Sequence, residues 1–255
     1  MITNKLLNAR QTKIPVERPT KHHPEMTVDE ACRLRDLLVQ RLIDAGEKIV
    51  GYKLSPKTVP SATDTTKLVP VYGYLFESMR LPVGATVNKK DYIDLHLENE
   101  VAFIIGKEIP ANKIARPDQL KQYIRSVVPA IEMPEIRYSG SIDDVTGIDL
   151  LVDNVVASRF IVGEGKSPSK VDADAVTVKM TRDGVVVNEG AATLVEGSPW
   201  NSLFWLVKQL EKENKTLQEG QIILTGGIAK FMDSVPGTYR ALYSELGQIT
   251  FTVQD

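Results

Sequence analysis

Glu98 and Glu100 stand two residues apart in Asp94-Leu95-His96-Leu97-Glu98-Asn99-Glu100-Val101-Ala102, which runs on into Phe-Ile-Ile and reads as a strand. Side chains alternate between the faces of a strand, so Leu95, Leu97 and Val101 share one face and His96, Glu98 and Glu100 the other. Carboxylates that point the same way repel each other in a low dielectric. A divalent cation relieves that repulsion directly, and hard oxygen ligands suit Mg²⁺ or Mn²⁺ better than Zn²⁺. The plainer reading of an isolated Glu-x-Glu is a solvated face. Two features favour the metal. The strand continues into apolar residues, as an interior strand does, and a third acid, Glu132, closes the apolar run Val127-Val128-Pro129-Ala130-Ile131.

Lys53 is the next candidate, flanked by apolar residues in Ile49-Val50-Gly51-Tyr52-Lys53-Leu54. A lysine beside a dication is driven toward its neutral form, and a neutral lysine shuttles protons. The alternative is a lysine that lays its stem on the surface and keeps its ammonium in water. Leu224-Thr225-Gly226-Gly227-Ile228 follows an apolar run. Paired glycines there let backbone N–H groups approach a ligand oxygen, or simply make a tight turn. Asp153-Asn154 and Ser158-Arg159 sit in a strand-like context, with Arg159 suited to a substrate carboxylate or a structural acid.

The elements that must position these residues follow a simple order. Residues 1–24 hold a short helix-like start and then IPVERPTKHHP, which reads as an extended arm. Thr27 and Glu30 form a capping-box pattern that opens a helix, Leu34, Leu37, Leu38, Leu42 and Ile43 give it one apolar face, and Gly46 ends it. KIVGYKL is a strand. Residues 55–70, rich in Thr, Ser and Pro, read as a long loop of the kind that serves as a lid. RPDQLKQYIRSV reads as a helix and PWNSLFWLVKQLEKEN as an amphipathic helix carrying both tryptophans. VVPAIEM, LLVDNVVASRFIVG, VTVKMTRDGVVVNEG, IILTGGI and ELGQITFTV read as strands, with a hairpin at the Asp-Gly of TRDGVV. A helical start followed by many strands and few helices predicts an α+β fold with a mixed or closed β core.

The bulk composition narrows the function. The 255 residues include 31 basic and 33 acidic ones, for a net charge of −2, with no Lys/Arg run, which argues against a nucleic-acid partner. No GxGxxG or GxxxxGK[ST] is present, so no nucleotide cofactor is indicated. A single cysteine, Cys32, excludes an intrachain disulfide framework and a cysteine-based zinc site and reads as a quiet helix thiol. The start, MITNKLLNARQ, is neither signal peptide nor membrane anchor, so a cytoplasmic location is expected.

The ordered set Pro24-Glu25-Met26-Thr27, Ile49-Val50-Gly51-Tyr52-Lys53, Tyr72-Gly73-Tyr74-Leu75, Glu98-Asn99-Glu100, Val128-Pro129-Ala130-Ile131-Glu132, Asp153-Asn154 with Ser158-Arg159-Phe160, and Thr225-Gly226-Gly227-Ile228 resembles the hydratase/decarboxylase branch of the fumarylacetoacetate hydrolase superfamily. The resemblance implies a mixed β-roll core with a helical N-terminal part. Residues 1–70 are then the arm, helix, first strand and loop, and 71–255 the catalytic mixed-β domain. It implies Glu98, Glu100 and Glu132 as ligands of Mg²⁺ or Mn²⁺, Lys53 as the active-site lysine, and Tyr72, Asn154, Ser158, Thr225 and Gly226 as substrate-binding residues. It also implies a lyase of aromatic catabolism acting on a small 2-oxo acid, assembled as a homo-oligomer and associating with a sibling hydratase.

Hydratases of this branch carry an acid in Pro-Asp-Phe-Gly, where this chain has Pro70-Val71-Tyr72-Gly73. Val71 takes no proton. The resemblance therefore implies decarboxylation of a 2-oxo-3-enedioate through a metal-stabilised dienolate, as in 4-oxalocrotonate decarboxylases. The first alternative is a 2-oxopent-4-enoate (2-hydroxypentadienoate) hydratase. An acylpyruvate hydrolase wants an N-terminal His-Glu pair, which His22 and His23 do not reproduce. A non-catalytic 2-oxo acid binding protein is the remaining alternative. It rests on departures from the family pattern at Leu54-Ser55-Pro56-Lys57, Met133-Pro134-Glu135-Ile136-Arg137 and Glu196-Gly197-Ser198-Pro199.

Overall fold

The computed structural model describes residues 2–61 and 66–255. Eight strands form the larger sheet: β1 (Ile49–Pro60), β2 (Leu68–Phe76), β3 (Arg80–Leu81), β5 (His96–Ile105), β6 (Ile124–Met133), β7 (Arg159–Val162), β10 (Ile222–Gly227) and β11 (Met232–Asp233). A five-stranded sheet holds β4 (Thr86–Asn88), β8 (Thr177–Arg182), β9 (Val185–Ala191), β12 (Gly237–Tyr243) and β13 (Gly247–Gln254). The larger sheet runs β2-β1-β10-β5-β6-β7-β3 with β11 on β5, and the smaller runs β4-β13-β12-β8-β9. In the larger sheet β1 with β10 and β3 with β7 are parallel, among otherwise antiparallel pairs. The helices are α1 (Ile2–Thr12), α2 (Pro19–His22), α3 (Val28–Asp44), α4 (Gly147–Val152) and α5 (Pro199–Lys212). The expected α+β class with a mixed β core and helical N-terminal part is what is observed.

Alternation on β5 sorts the molecule into a core side and a site side. Leu97, Val101 and Phe103 join one buried apolar cluster with Met180, Ala241 and Ile249 of the smaller sheet. Glu98 and Glu100 therefore face the other way. A second apolar cluster, including Leu6, Leu38, Val59, Val71, Leu151 and Val155, ties the N-terminal helices to the β1–β2 hairpin and to α4. The capping box of Thr27 and Glu30 starts α3 as expected. Burial pushes the half-buried Cys32 thiol up, in keeping with a quiet thiol. Among the described residues, no helix is long and apolar enough to cross a membrane.

Four local expectations are corrected. Residues 55–70 are largely a hairpin: Ser55 pairs with Val71, Val59 with Val69 and Pro60 with Leu68, across a register shift between Ser55 and Val59. Residues 62–65 of that stretch lie outside the described residues. The prolines that suggested a loop are tolerated because Pro56 sits in the irregular part and Pro70 on an edge strand. The division expected after residue 70 thus falls within β2. Residues 117–123 form a 3-10 helix, and Ile124 already belongs to β6.

In residues 150–163 only Arg159–Val162 is strand. Thr146 and Asp149 form a capping box that starts α4, and Asn154, Val155 and Val156 then follow with φ of 55°, 52° and 51°. A valine-rich run does not by itself distinguish a buried strand from a buried helix. The arm, finally, is docked on its own chain. Val16 bridges Tyr138, and the Thr20 N–H and hydroxyl donate to Asp149 at 3.0 and 2.7 Å.

A buried ionic network holds these pieces together. Arg137, only 1% exposed, donates to Asp153 and Glu135 at 2.8 Å each, and Arg10 of α1 donates to the other Asp153 oxygen at 2.8 Å. Ser158 and the Ile93 N–H also donate to Glu135, at 3.0 Å each. Burial pushes the Glu135 carboxyl up, but Arg137 and the Ile93 N–H outweigh it and hold it below its ordinary value. Arg137→Leu leaves two buried carboxylates short of a partner and should cost about 3–5 kcal/mol, read from the urea midpoint. A carboxyl lowered on folding contributes stability that is complete above its unfolded value, about 4.3, and is lost as pH falls through the lower folded value. Glu135→Gln should flatten that acid limb of the stability profile, and an unchanged limb would refute the assignment.

Candidate active site

Antiparallel register brings the acids together. Glu98 on β5 is directly opposite Glu132 on β6, and Glu100 is opposite Ala130. Directly opposed residues share a face. One carboxylate oxygen from each of Glu98, Glu100 and Glu132 lies within 4.8 Å of the others. Glu100 and Glu132 are 0% and 1% exposed. Glu100 Oε1 and Glu132 Oε2 are buried without a hydrogen-bond partner among the described residues.

The electrostatics show what such a cluster requires. Burial, and then the charge of Glu132, push Glu98 up to about 7. Burial followed by Glu132 and Glu98 pushes Glu100 well above the ordinary carboxylate range. Protein groups alone leave the cluster short of positive charge, so it keeps protons. Three convergent carboxylates with orphaned oxygens fit a hard divalent cation, which can take the place of those protons.

Lys53 supplies the positive charge that the protein does provide. It comes from β1, which reaches β5 through β10. Its Nζ is 2.9 Å from Glu132 Oε1 and donates to the Val155 carbonyl at 3.2 Å. Burial pushes Lys53 down, but Glu132, Glu98 and Glu100 outweigh it and hold the amine above its ordinary range. The left-handed turn at 154–156 aims the Val155 carbonyl at Nζ, a backbone strain of the kind that collects at functional sites.

The glycine segment supports the acids. The register of β10 against β5 shifts between Leu224 and Gly227. At this irregularity Gly226, with φ of 110°, donates its N–H to Glu100 Oε2 at 2.7 Å, and the Thr225 hydroxyl donates to the Val101 carbonyl at 2.7 Å. A Cβ on Gly226 would lie 2.8 Å from Val195 Cγ2, and one on Gly227 would lie 2.8 Å from Glu98 Oε1. Irregular strands beside active sites commonly re-aim a group in this way.

The structure brings Lys53, Glu98, Glu100, Glu132 and Gly226 together and places the other expected residues elsewhere. Tyr72 and Tyr74 form an aromatic cluster with Tyr52, one strand position away from Lys53 and so on the opposite face. The Tyr72 hydroxyl accepts from Arg35 and donates to Glu213. Asn154 spends both ends of its amide on the Tyr74 backbone, at 2.7 and 2.9 Å. Ser158 bonds Glu135 in the ionic network. Tyr72, Asn154 and Ser158, the residues expected to bind substrate, thus make these contacts within the protein, and Thr225 and Gly226 likewise use their donors there. His22 and His23 are exposed and paired with Glu17 and Glu25. The Val155 carbonyl went unseen in the sequence. A Gly-Gly pair hints at close approach, but no signal marks a valine carbonyl.

The family model for the C-terminal region of fumarylacetoacetate hydrolase matches residues 50–242, which span the whole acidic cluster. The chain belongs to the fumarylacetoacetate hydrolase family. It is similar to a 2-keto-4-pentenoate hydratase from Paraburkholderia xenovorans, 26% identical over 91% of this chain and 86% of that protein. It is also similar to a 4-oxalocrotonate decarboxylase from Pseudomonas putida, 27% identical over 95% and 92% of the two chains. The structure of 4-oxalocrotonate decarboxylase from Pseudomonas putida G7, complexed with magnesium and adipate, matches with a TM-score of 0.89 at 26% identity, covering 98% of this chain and 95% of that one. These relatives put the chain in the hydratase/decarboxylase branch of the family, among its lyases. A fumarylpyruvate hydrolase from Pseudomonas aeruginosa in complex with Mn²⁺ and pyruvate shares the fold, with a TM-score of 0.56 at 14% identity over 80% and 88% of the chains.

Two substitutions test the cluster. Glu100→Ala should weaken Mg²⁺ or Mn²⁺ binding by more than about 100-fold, beyond the loss usual for outer-shell partners, without lowering thermal stability. Calorimetric titration with undiminished affinity would sink the ligand assignment. Gly226→Ala should cost about 10–100-fold in metal affinity by displacing the N–H that steadies Glu100.

Proposed function

We propose that this chain is a metal-dependent lyase that decarboxylates a small 2-oxo-3-enedioate. Glu98, Glu100 and Glu132 are the metal ligands in this reading, with Mg²⁺ or Mn²⁺ as the cation. The ion supplies positive charge against which a substrate carboxylate and 2-oxo oxygen can bind and be polarised. Lys53 holds a proton at Nζ beside Glu132 and donates a hydrogen bond to the oxygen that gains negative charge as CO₂ departs.

The observation that carries decarboxylation is the setting of Val71. The register Lys53 with Gly73 and Ser55 with Val71 puts Val71 on the face of Lys53. It is 5% exposed and shares an apolar cluster with Val59 and Val155. Adding water to a double bond asks for a side chain that moves the water's proton, and valine has none. Loss of CO₂ turns a carboxylate into a neutral molecule, which a desolvated apolar wall favours. The hydratase reading is the second choice, supported by the similar identity to the hydratase relative. Homo-oligomeric assembly, and association with a sibling hydratase, belong to the same proposal. Sedimentation checks the assembly.

One assay series separates the siblings. Protein with Mg²⁺ or Mn²⁺ is given 2-oxohex-3-enedioate, 2-hydroxypenta-2,4-dienoate or an acylpyruvate, and ultraviolet absorbance and CO₂ are followed. Consumption of the enedioate with CO₂ release is expected, whereas turnover of the dienoate alone would reverse the choice. Lys53→Ala should lower kcat by about 10²–10⁴-fold, with a smaller change in metal affinity.

A further inference from the structure

A polar cavity lies across the β6–β7 layer from the acids. Glu132 pairs with Phe160 and Met133 with Arg159, so alternation sends Arg159 to the face opposite Glu132. There Arg159 lines a cavity of about 290 Å³ closed by α1, the end of α3 and residues 76–79. Four cationic side chains line it: Arg10, Lys13, Arg137 and Arg159.

The nearby carboxylates are largely taken. Asp153 accepts from Arg10 and Arg137, and Glu135 accepts from Arg137, Ser158 and the Ile93 N–H. Both oxygens of Glu47 accept from the Ser78 hydroxyl. Lys13 and Arg159 have no carboxylate within ion-pair distance among the described residues, although Lys13 Nζ donates to the Arg10 carbonyl and Arg159 Nη1 to the Ser78 carbonyl at 3.1 Å. Their charges sit 5.9 and 5.8 Å from the centre of one ring, that of Tyr92, and the Tyr92 hydroxyl accepts from Arg159 Nε at 3.1 Å. Arg137, 1% exposed, and Arg10 each keep a buried Nε with no partner. Burial and the facing Arg137 hold Arg10 below its ordinary value, as expected where positive charge is in excess. The rest of the lining is Gln11 and the apolar Leu7, Leu42, Ala45, Phe76 and Met79.

We infer that this cavity binds a small organic carboxylate with an apolar body, its carboxylate between Lys13 and Arg159 and its body against Leu7, Leu42 and Met79. With Arg159 Nε and Nη1 engaged by Tyr92 and Ser78, Nη2 and the Lys13 ammonium supply the charged donors for the carboxylate, and the apolar lining discriminates against an inorganic anion. The site is independent of the acidic cluster and of the reaction proposed for it.

Benzoate is the probe, titrated calorimetrically into wild-type protein held metal-free with EDTA, with benzamide and inorganic phosphate as controls. One equivalent of benzoate should bind, with neither control matching it. Affinity should fall at least tenfold in Arg159→Gln and in Lys13→Gln, and stay within twofold in Glu100→Gln. Lys13 is partly exposed at the end of α1, so its variant keeps the test open should Arg159→Gln fail to fold. Absence of benzoate binding overturns the site. So does binding lost in Glu100→Gln but retained in both cation variants, which would place the carboxylate at the acidic cluster. Equal binding of benzamide overturns charge recognition, and equal binding of phosphate overturns recognition of the apolar body.

Discussion

Mutual repulsion among three convergent carboxylates, two buried and one half-buried, governs the architecture of this protein. Glu98, Glu100 and Glu132 converge within 4.8 Å, and burial of Glu100 and Glu132 removes much of the water that would ordinarily screen their charge. Protein groups answer only part of the demand. Lys53 brings one positive charge and Gly226 one N–H, and the remainder is met by retained protons or by a cation. A cluster so arranged is poorly suited to stability for its own sake, since buried ion clusters rarely improve on apolar packing. Its persistence in the middle of an eight-stranded sheet makes sense as a site built to take up positive charge.

Three departures from regular structure serve that demand. The register shift in β10 turns the Gly226 N–H toward Glu100. The left-handed run Asn154-Val155-Val156 aims a carbonyl at Lys53. The missing side chain at Gly227 leaves room for Glu98. Each costs backbone free energy locally, and residues in sparsely populated regions cost of order 1–3 kcal/mol apiece. The ionic network of Arg10, Arg137, Asp153 and Glu135 surrounds the strained turn and holds it against α1 and residues 135–137, so the part of the chain under strain is also the part most firmly tied.

The β6–β7 layer therefore separates two electrostatic compartments. On one side acids crowd together and need cations. On the other, guanidinium and ammonium groups outnumber the carboxylates left to pair with them. Membership in the fumarylacetoacetate hydrolase family accounts for the first compartment and for the lyase chemistry of the branch. The second follows from the packing of the N-terminal helices of this chain on the same sheet.

The sequence alone determined what period and residue type carry. A period of two put Glu98 and Glu100 on one face, an apolar run ending in Glu132 marked an interior strand with an acid at its end, and Thr27 with Glu30 marked the start of α3. The α+β class followed from the order of such segments. Only tertiary structure decided which acids, lysines and amides meet. The resemblance marked Tyr72, Asn154 and Ser158 for substrate, but only the fold shows that Tyr72 lies on the face of β2 opposite Lys53 and that Asn154 bonds the Tyr74 backbone. The turn at 154–156 was illegible because, although Asn tolerates positive φ, β-branched valines disfavour it, and that geometry is imposed by α4 before it and β7 after it. Register across β1, β10, β5 and β6 is a long-range property, and it alone placed Lys53 against Glu132.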